Sequence, residues 1–198
     1  PHWVAAGARV IAQCRVAVQA GKDTTITEFG DWHRTPAPAA ALATQCVQDT
    51  LALAQGDVPV RLLHLPAAHT DGDLLVHLPS HNVLHVGDVM EIGSPPFIDW
   101  WAGGTVDGML AACDRALAMA DERTIIVPGH GEPTDREGLR AYRDMLRDIS
   151  TRVAAAEPRT SSLDAVLATD PTAGYVQALG SPRKSSQFVR LLYLGARR

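Results

Sequence analysis

The stretch Asp73-Leu74-Leu75-Val76-His77-Leu78-Pro79-Ser80-His81-Asn82-Val83-Leu84-His85-Val86-Gly87-Asp88 decides how this chain is read. Two apolar runs flank Pro79-Ser80-His81, the pattern of two strands joined by a tight turn. His77, His81 and His85 recur every four residues, which on a helix would be a ligand stripe. Pro79 and the β-rich flanks argue against a helix there, so the three are expected as exposed hairpin histidines.

Working outward, residues 58–65 form an apolar run that ends at Pro66, a third strand candidate. The loop over 89–104 is rich in Gly, Pro and aromatics. It leads into a helix whose Val106, Met109, Leu110, Cys113 and Leu117 share one face. Residues 124–127 read as a buried strand running into Pro128-Gly129-His130-Gly131. Thr134 and Glu137 make a capping box for the next helix, with Leu139, Tyr142, Leu146, Ile149 and Val153 on its apolar side. Short helices are expected near 161–168 and 185–194. Upstream, residues 8–13 read as a strand, 14–20 as a short helix, and 39–54 as an Ala/Leu-rich helical piece. Strands alternate with helices after residue 58, so the chain reads as one α/β domain over 1–198.

The bulk properties narrow the function classes. The 198 residues are 46% hydrophobic and 20% charged, with a formal net charge of -4, the composition of a soluble globular domain. No basic block marks a nucleic-acid surface, and no apolar run is long enough to span a membrane. A small-molecule substrate is the expected partner. Cys14, Cys46 and Cys113 are too scattered for a disulfide framework or a Cys-based metal cluster. Cys14 and Cys46 can pair only if the fold joins them, and Cys113 falls on an apolar helical stripe. The location stays open between cytoplasm and periplasm.

Among the eight histidines, His69 and His130 stand out, together with Asp88. Each lies where a strand meets a loop: Ala68-His69-Thr70-Asp71-Gly72-Asp73, Val86-Gly87-Asp88, and Val127-Pro128-Gly129-His130-Gly131. Loops at strand ends gather ligands over a rigid scaffold. Neutral imidazoles with a carboxylate suit zinc, and a carboxylate can bridge two cations. Glycine beside each residue lets backbone pass close by. His2 and His33 are expected on the surface, and His64 as a packing partner near His69.

This ordered set resembles the later half of the metallo-β-lactamase superfamily, with 19 positions from His69 to Asp88 and 42 from Asp88 to His130. The segments 97–109 and 188–193 are similar to the loop, helix and C-terminal helix of a general hydrolase subgroup. The resemblance implies an αββα sandwich with two zinc ions at one edge. It implies His69 on the first metal, Asp88 bridging both, and His130 on the second. A hydroxide held by the metals would attack the carbonyl of a small ester, thioester, lactone or lactam. The family's His-x-His-x-Asp-His signature is nowhere in these 198 residues. The expectation is therefore an N-terminally incomplete domain with an incomplete first sheet. That leaves room for a homo-oligomer, a complementing segment, or partial or absent metal occupancy. The competing reading is a truncated, catalytically inactive domain acting in binding or assembly; a nuclease-type member is disfavoured by the missing basic surface. Phe97, Trp100 and Trp101 are candidates for an apolar wall beside the metals.

Overall fold

The computed structural model describes residues 2–27, 31–38, 42–156 and 162–197. Its centre is a five-stranded sheet in sequence order: β5 (Thr50–Gln55), β6 (Val58–Leu65), β7 (Asp73–Leu78), β8 (Val83–Glu91) and β9 (Ile125–His130). The strands β5 to β8 run antiparallel, while β8 and β9 are parallel. That parallel step needs a crossover, and α3 (Val106–Met119) supplies it. The Asp73–Asp88 hairpin forms as read, turning through a 3-10 segment at Pro79–His81 with Asn82 in the left-handed region. His77 pairs with Leu84 and His85 with Val76, so adjacent register positions put the two histidines on opposite faces and no ligand stripe forms.

Helices α3, α4 (Arg136–Ala156) and α6 (Pro182–Gly195) cover one face of this sheet. The predicted apolar faces close onto it: Met109, Cys113 and Leu117 from α3, and Leu139, Tyr142, Leu146, Ile149 and Val153 from α4, are buried against Leu65, Leu75, Leu84 and Ile126. Cys113 is a core residue, and burial pushes its thiol up to about 12. Helix α5 (Leu163–Leu167) adds Val166 to the same core.

The N-terminal part is built from smaller pieces: α1 (His2–Ala5), β1 (Ile11–Gln13), α2 (Cys14–Ala20), β2 (Thr24–Ile26), β3 (Trp32–Arg34) and β4 (Gln45–Val47). Among the described residues β1 pairs only with β4, in parallel, and β2 with β3. The register sets Ala12 opposite Cys46, which brings Cys14 and Cys46 into a disulfide.

Three local expectations are corrected. The helical piece expected over 39–54 is replaced by strands in its described part: residues 39–41 lie outside the described residues, while 45–47 form β4 and 50–54 fall in β5. Leu51 and Leu53 alternate with Ala52 and Ala54 and pair opposite Leu62 and Val60, so cross-strand packing overrides the helical propensity of Ala and Leu. Gly56, at φ +59°, makes the Gly56-Asp57 turn that returns the chain into β6. The cap of α4 is Asp135, which accepts from Gly138 N at 2.9 Å. Thr134 instead exchanges two backbone bonds with Ile126, both 2.8 Å, and Glu137 pairs with Arg140. Strand β8 continues past Asp88 to Glu91.

Candidate metal centre at the sheet edge

Asp88 owes its position to a broken ladder. The register slips between His85 and Gly87, and again between Gly87 and Glu91, because β8 spends more residues than β9 over the same length. Pro128 lies opposite Gly87 and has no N–H to donate, and Gly87 takes φ +58°. The resulting bulge re-aims the strand at Asp88. Gly129 is what lets β9 approach: a Cβ there would lie 2.0 Å from Asp88 Oδ1.

His69 is held by the loop over 97–105. Its carbonyl accepts from Asp99 N at 2.9 Å, and Thr105 N donates to the carbonyls of Ala67 and Ala68. A Cβ on Gly104 would fall 2.1 Å from the His69 carbonyl oxygen, and one on Gly108 would fall 1.8 Å from that of Ala67. The glycines let the start of α3 press onto this turn. The His69 ring sits 2.8 Å, through Nδ1, from the Phe97 carbonyl oxygen. A carbonyl only accepts, so Nδ1 carries the proton and neutral His69 turns a lone pair outward on Nε2.

That lone pair faces Asp88. His69 Nε2 stands 3.7 Å from Asp88 Oδ2, and His130 Nε2 stands 3.5 Å from Asp88 Oδ1. Both exceed the about 2.7–3.2 Å of an N–H···O bond. Both are short enough for a cation to be reached from each donor of the pair, given metal–ligand lengths of about 2.0–2.1 Å. The carboxylate thus offers one oxygen to each imidazole. Exposure is graded: side-chain accessibility is 16% for His69, 40% for Asp88 and 66% for His130. The three sequence candidates meet in space. Among the described residues, however, no three His, Cys, Asp or Glu side chains gather around one point. Each imidazole stands with one oxygen of Asp88, so the residues pair two donors at a time.

Neighbouring groups brace the arrangement. Asp73 accepts from Thr70 N and Thr70 Oγ1 at 3.0 and 2.8 Å, and burial pushes its carboxyl above the usual range although these bonds pull it down. His64 Nε2 donates to the Asp71 carbonyl at 2.8 Å. Asp71 takes Gln19 at 3.3 Å and Arg15 at 3.5 Å from α2. Buried Asp99 caps Ala102 N and pairs with Arg34 at 3.0 Å. Sequence reasoning missed the Phe97 carbonyl and the Arg34–Asp99 pair. The aromatic wall forms only in part: the Phe97 ring lies 5.7 Å from that of His69, while Trp100 stacks on Trp101 at 4.3 Å and lines a cavity on the helix side. His33 is exposed and sits 2.7 Å from Asp23 across β2 and β3.

No helix among the described residues is long and apolar enough to cross a membrane. No family model matches the chain. Over 89 residues it is 28% identical to an acyl-coenzyme A thioesterase, MBLAC2, of Gallus gallus; that stretch is 44% of this chain and 31% of the relative. The fold is similar to that of a metallo-β-lactamase from Pontibacter korlensis, with TM-score 0.55 and 18% identity over 74% of this chain and 61% of the other. It is also similar to the B3 metallo-β-lactamase BLEG-1, with TM-score 0.58 and 21% identity over 73% of this chain and 68% of the other. A similar match to metallo-β-lactamase IND-7 has TM-score 0.54 and 17% identity, covering 74% of this chain and 60% of that one. The chain spans less than a third of the curated relative's length and about two thirds or less of these solved chains. Such low identities speak for architecture alone, and by its sheet, its crossover and its helical layer this chain has the metallo-β-lactamase fold.

Proposed function

We propose that the chain carries part of the zinc site of a hydrolase that cleaves a small ester or thioester, with lactones and lactams as the wider class. The observation that carries this is the Asp88 carboxylate set between two imidazole Nε2 atoms, one of them fixed in its tautomer by the Phe97 carbonyl. His69 and Asp88 Oδ2 would hold one ion, His130 and Asp88 Oδ1 the other. When bound, zinc supplies Lewis acidity toward a carbonyl and lowers the pKa of water. The chain's own part is orientation. Phe97 O keeps the His69 lone pair turned toward Asp88, the bulge at Gly87 presents both Asp88 oxygens, and the Phe97 ring packs at 5.7 Å from that of His69. The partial likeness to a thioesterase favours a thioester among the carbonyl substrates.

The second reading, an inactive binding or assembly domain, rests on the two protein donors available to each ion where a catalytic zinc usually takes three. Zinc titration followed by hydrolysis of acetyl- and octanoyl-thioesters separates the two. Zinc held tightly, about two ions per chain, with turnover lost in Asp88→Ala and His69→Ala, supports the enzyme. Absent or weak zinc with no turnover supports the binding domain. Turnover unchanged in both variants refutes the site.

A further inference from the structure

The loop that holds His69 has two sides. Its residues alternate between them: the Phe97 carbonyl and the Asp99 amide bind His69, whereas Ile98 and Trp100 face a cavity of about 510 Å³ on the helix side. Leu110 of α3, Val153 of α4, and Leu191 and Leu192 of α6 complete its apolar walls. This volume is within the range of small-molecule sites.

We propose that this cavity is a regulatory site for a neutral, mainly apolar small molecule, and that its occupancy is felt at His69 through residues 97–100. The balance of charge in the lining favours a neutral occupant. Arg147 and Asp107 bring one charge of each sign to the lining, and the Arg147 guanidinium already pairs with Asp114 at 3.3 Å. The hydroxyls of Thr105, Ser150 and Thr151 in the lining already donate to the Ala67 and Arg147 carbonyls, so apolar contact dominates what the walls offer an occupant. The cavity is not a route to the metal side, since the loop backbone stands between the two. Packing an occupant under Ile98 and Trp100 shifts a segment whose neighbouring carbonyl fixes the His69 ring. Coupling of this kind is reciprocal, so anything that fixes His69 alters the occupant's affinity equally.

The test uses metal-free protein, so its outcome is independent of hydrolysis. 1-Octanol, octanoate and octylammonium are titrated while Trp emission and the ring nitrogen signals of His69 are followed. Octanol is expected to bind saturably, with a change in Trp emission and a shift of His69 Nδ1, and the two charged analogues at least tenfold more weakly. Ala154, an exposed residue on the cavity wall, gives the blocking variant. Ala154→Phe is expected to weaken octanol at least tenfold with unchanged thermal stability. If that variant does not fold, Ala196→Phe, at the equally exposed end of α6, takes its place. Non-saturable octanol, equal binding of all three probes, or full affinity in the blocked variant overturns the site. Saturable binding that leaves the His69 ring signals unmoved overturns the coupling.

Discussion

Residues 2–47 and residues 50–197 are held together by different physics. The later region buries a continuous core from Leu65 to Tyr193. Among the described residues of the earlier one, Ile26 and Val47 are the buried hydrophobics, and neither belongs to that core. Trp3, Val18 and Trp32 are 80%, 64% and 50% exposed there. The earlier region depends instead on a disulfide, two-stranded pairings, and polar links to Asp71 and Asp99. The candidate metal centre belongs to the well-packed region, but its bracing reaches into the other. Stability and site geometry are therefore separable by mutation.

The largest effect is expected from the core. Leu75 is fully buried between β6 and β8 under α3 and α4. Leu75→Ala removes its transfer energy and leaves a cavity, at a cost of about 2–5 kcal/mol. Urea unfolding should show this as a lower midpoint with an unchanged slope; a loss under 1 kcal/mol would mean the core is looser than described. Next is the disulfide. Cys14 and Cys46 are separated by 32 residues in sequence, and closing such a loop is worth roughly 3–4 kcal/mol in the chain-entropy model. Reduction should therefore open the N-terminal segment to hydrogen exchange while amides of α3, α4 and β8 keep their protection. Uniform loss of protection across the chain would show that the two regions fold as one.

The same contrast explains what the sequence made legible. Strands from Val58 to Asp88 and the helices α3 and α4 announce themselves because a buried face imposes a period of two or 3.6 on the residues that line it. His69, Asp88 and His130 stand out in the sequence as residues where a strand meets a loop. Their side chains do approach one another, although Asp88 lies inside β8, at its bulge, and not at a strand end. The strand at Thr50–Gln55 was hidden, since Ala and Leu favour helix until Leu62 and Val60 stand opposite them. The extension of β8 was hidden too, because it depends on Pro128 arriving across from Gly87. The Phe97 carbonyl has no side-chain signature at all, and Arg34 finds Asp99 across 65 positions.

That Arg34–Asp99 pair is the seam between the regions, and it comes third in size. Asp99 is nearly buried, so removing its cation leaves a carboxylate short of a partner, at about 1–3 kcal/mol. Arg34→Ala should lower stability by that order and weaken zinc more than Arg34→Lys, which keeps the charge. An effect on stability with zinc affinity intact would separate the seam from the site.

Acid sensitivity adds a smaller effect in the packed half. Burial, and then the charge of Arg61, lower the His77 pKa below the ordinary value of 6.5. The unfolded chain therefore takes up this proton first as pH falls, and the folded state loses His77's contribution below the unfolded value. His77→Gln should flatten the decline in stability between pH 7 and 5; an unaltered slope would remove His77 as its source.

The smallest effect separates exposed apolar area from buried apolar area most cleanly. Trp3 is the larger side chain when set against Leu75, and residue size alone would rank it as the costlier loss. Yet at 80% exposure it has little transfer energy to surrender and no cavity to leave. Trp3→Ser should change stability by less than about 0.5 kcal/mol, as for surface sites generally. Measured over a range of protein concentrations, the same variant asks a second question. If the exposed indole is covered by another copy of the chain, wild-type melting temperature should rise with concentration and that of Trp3→Ser should not. If neither rises and the cost stays near zero, Trp3 contributes exposed surface alone, and the contrast between the two regions belongs to the single chain.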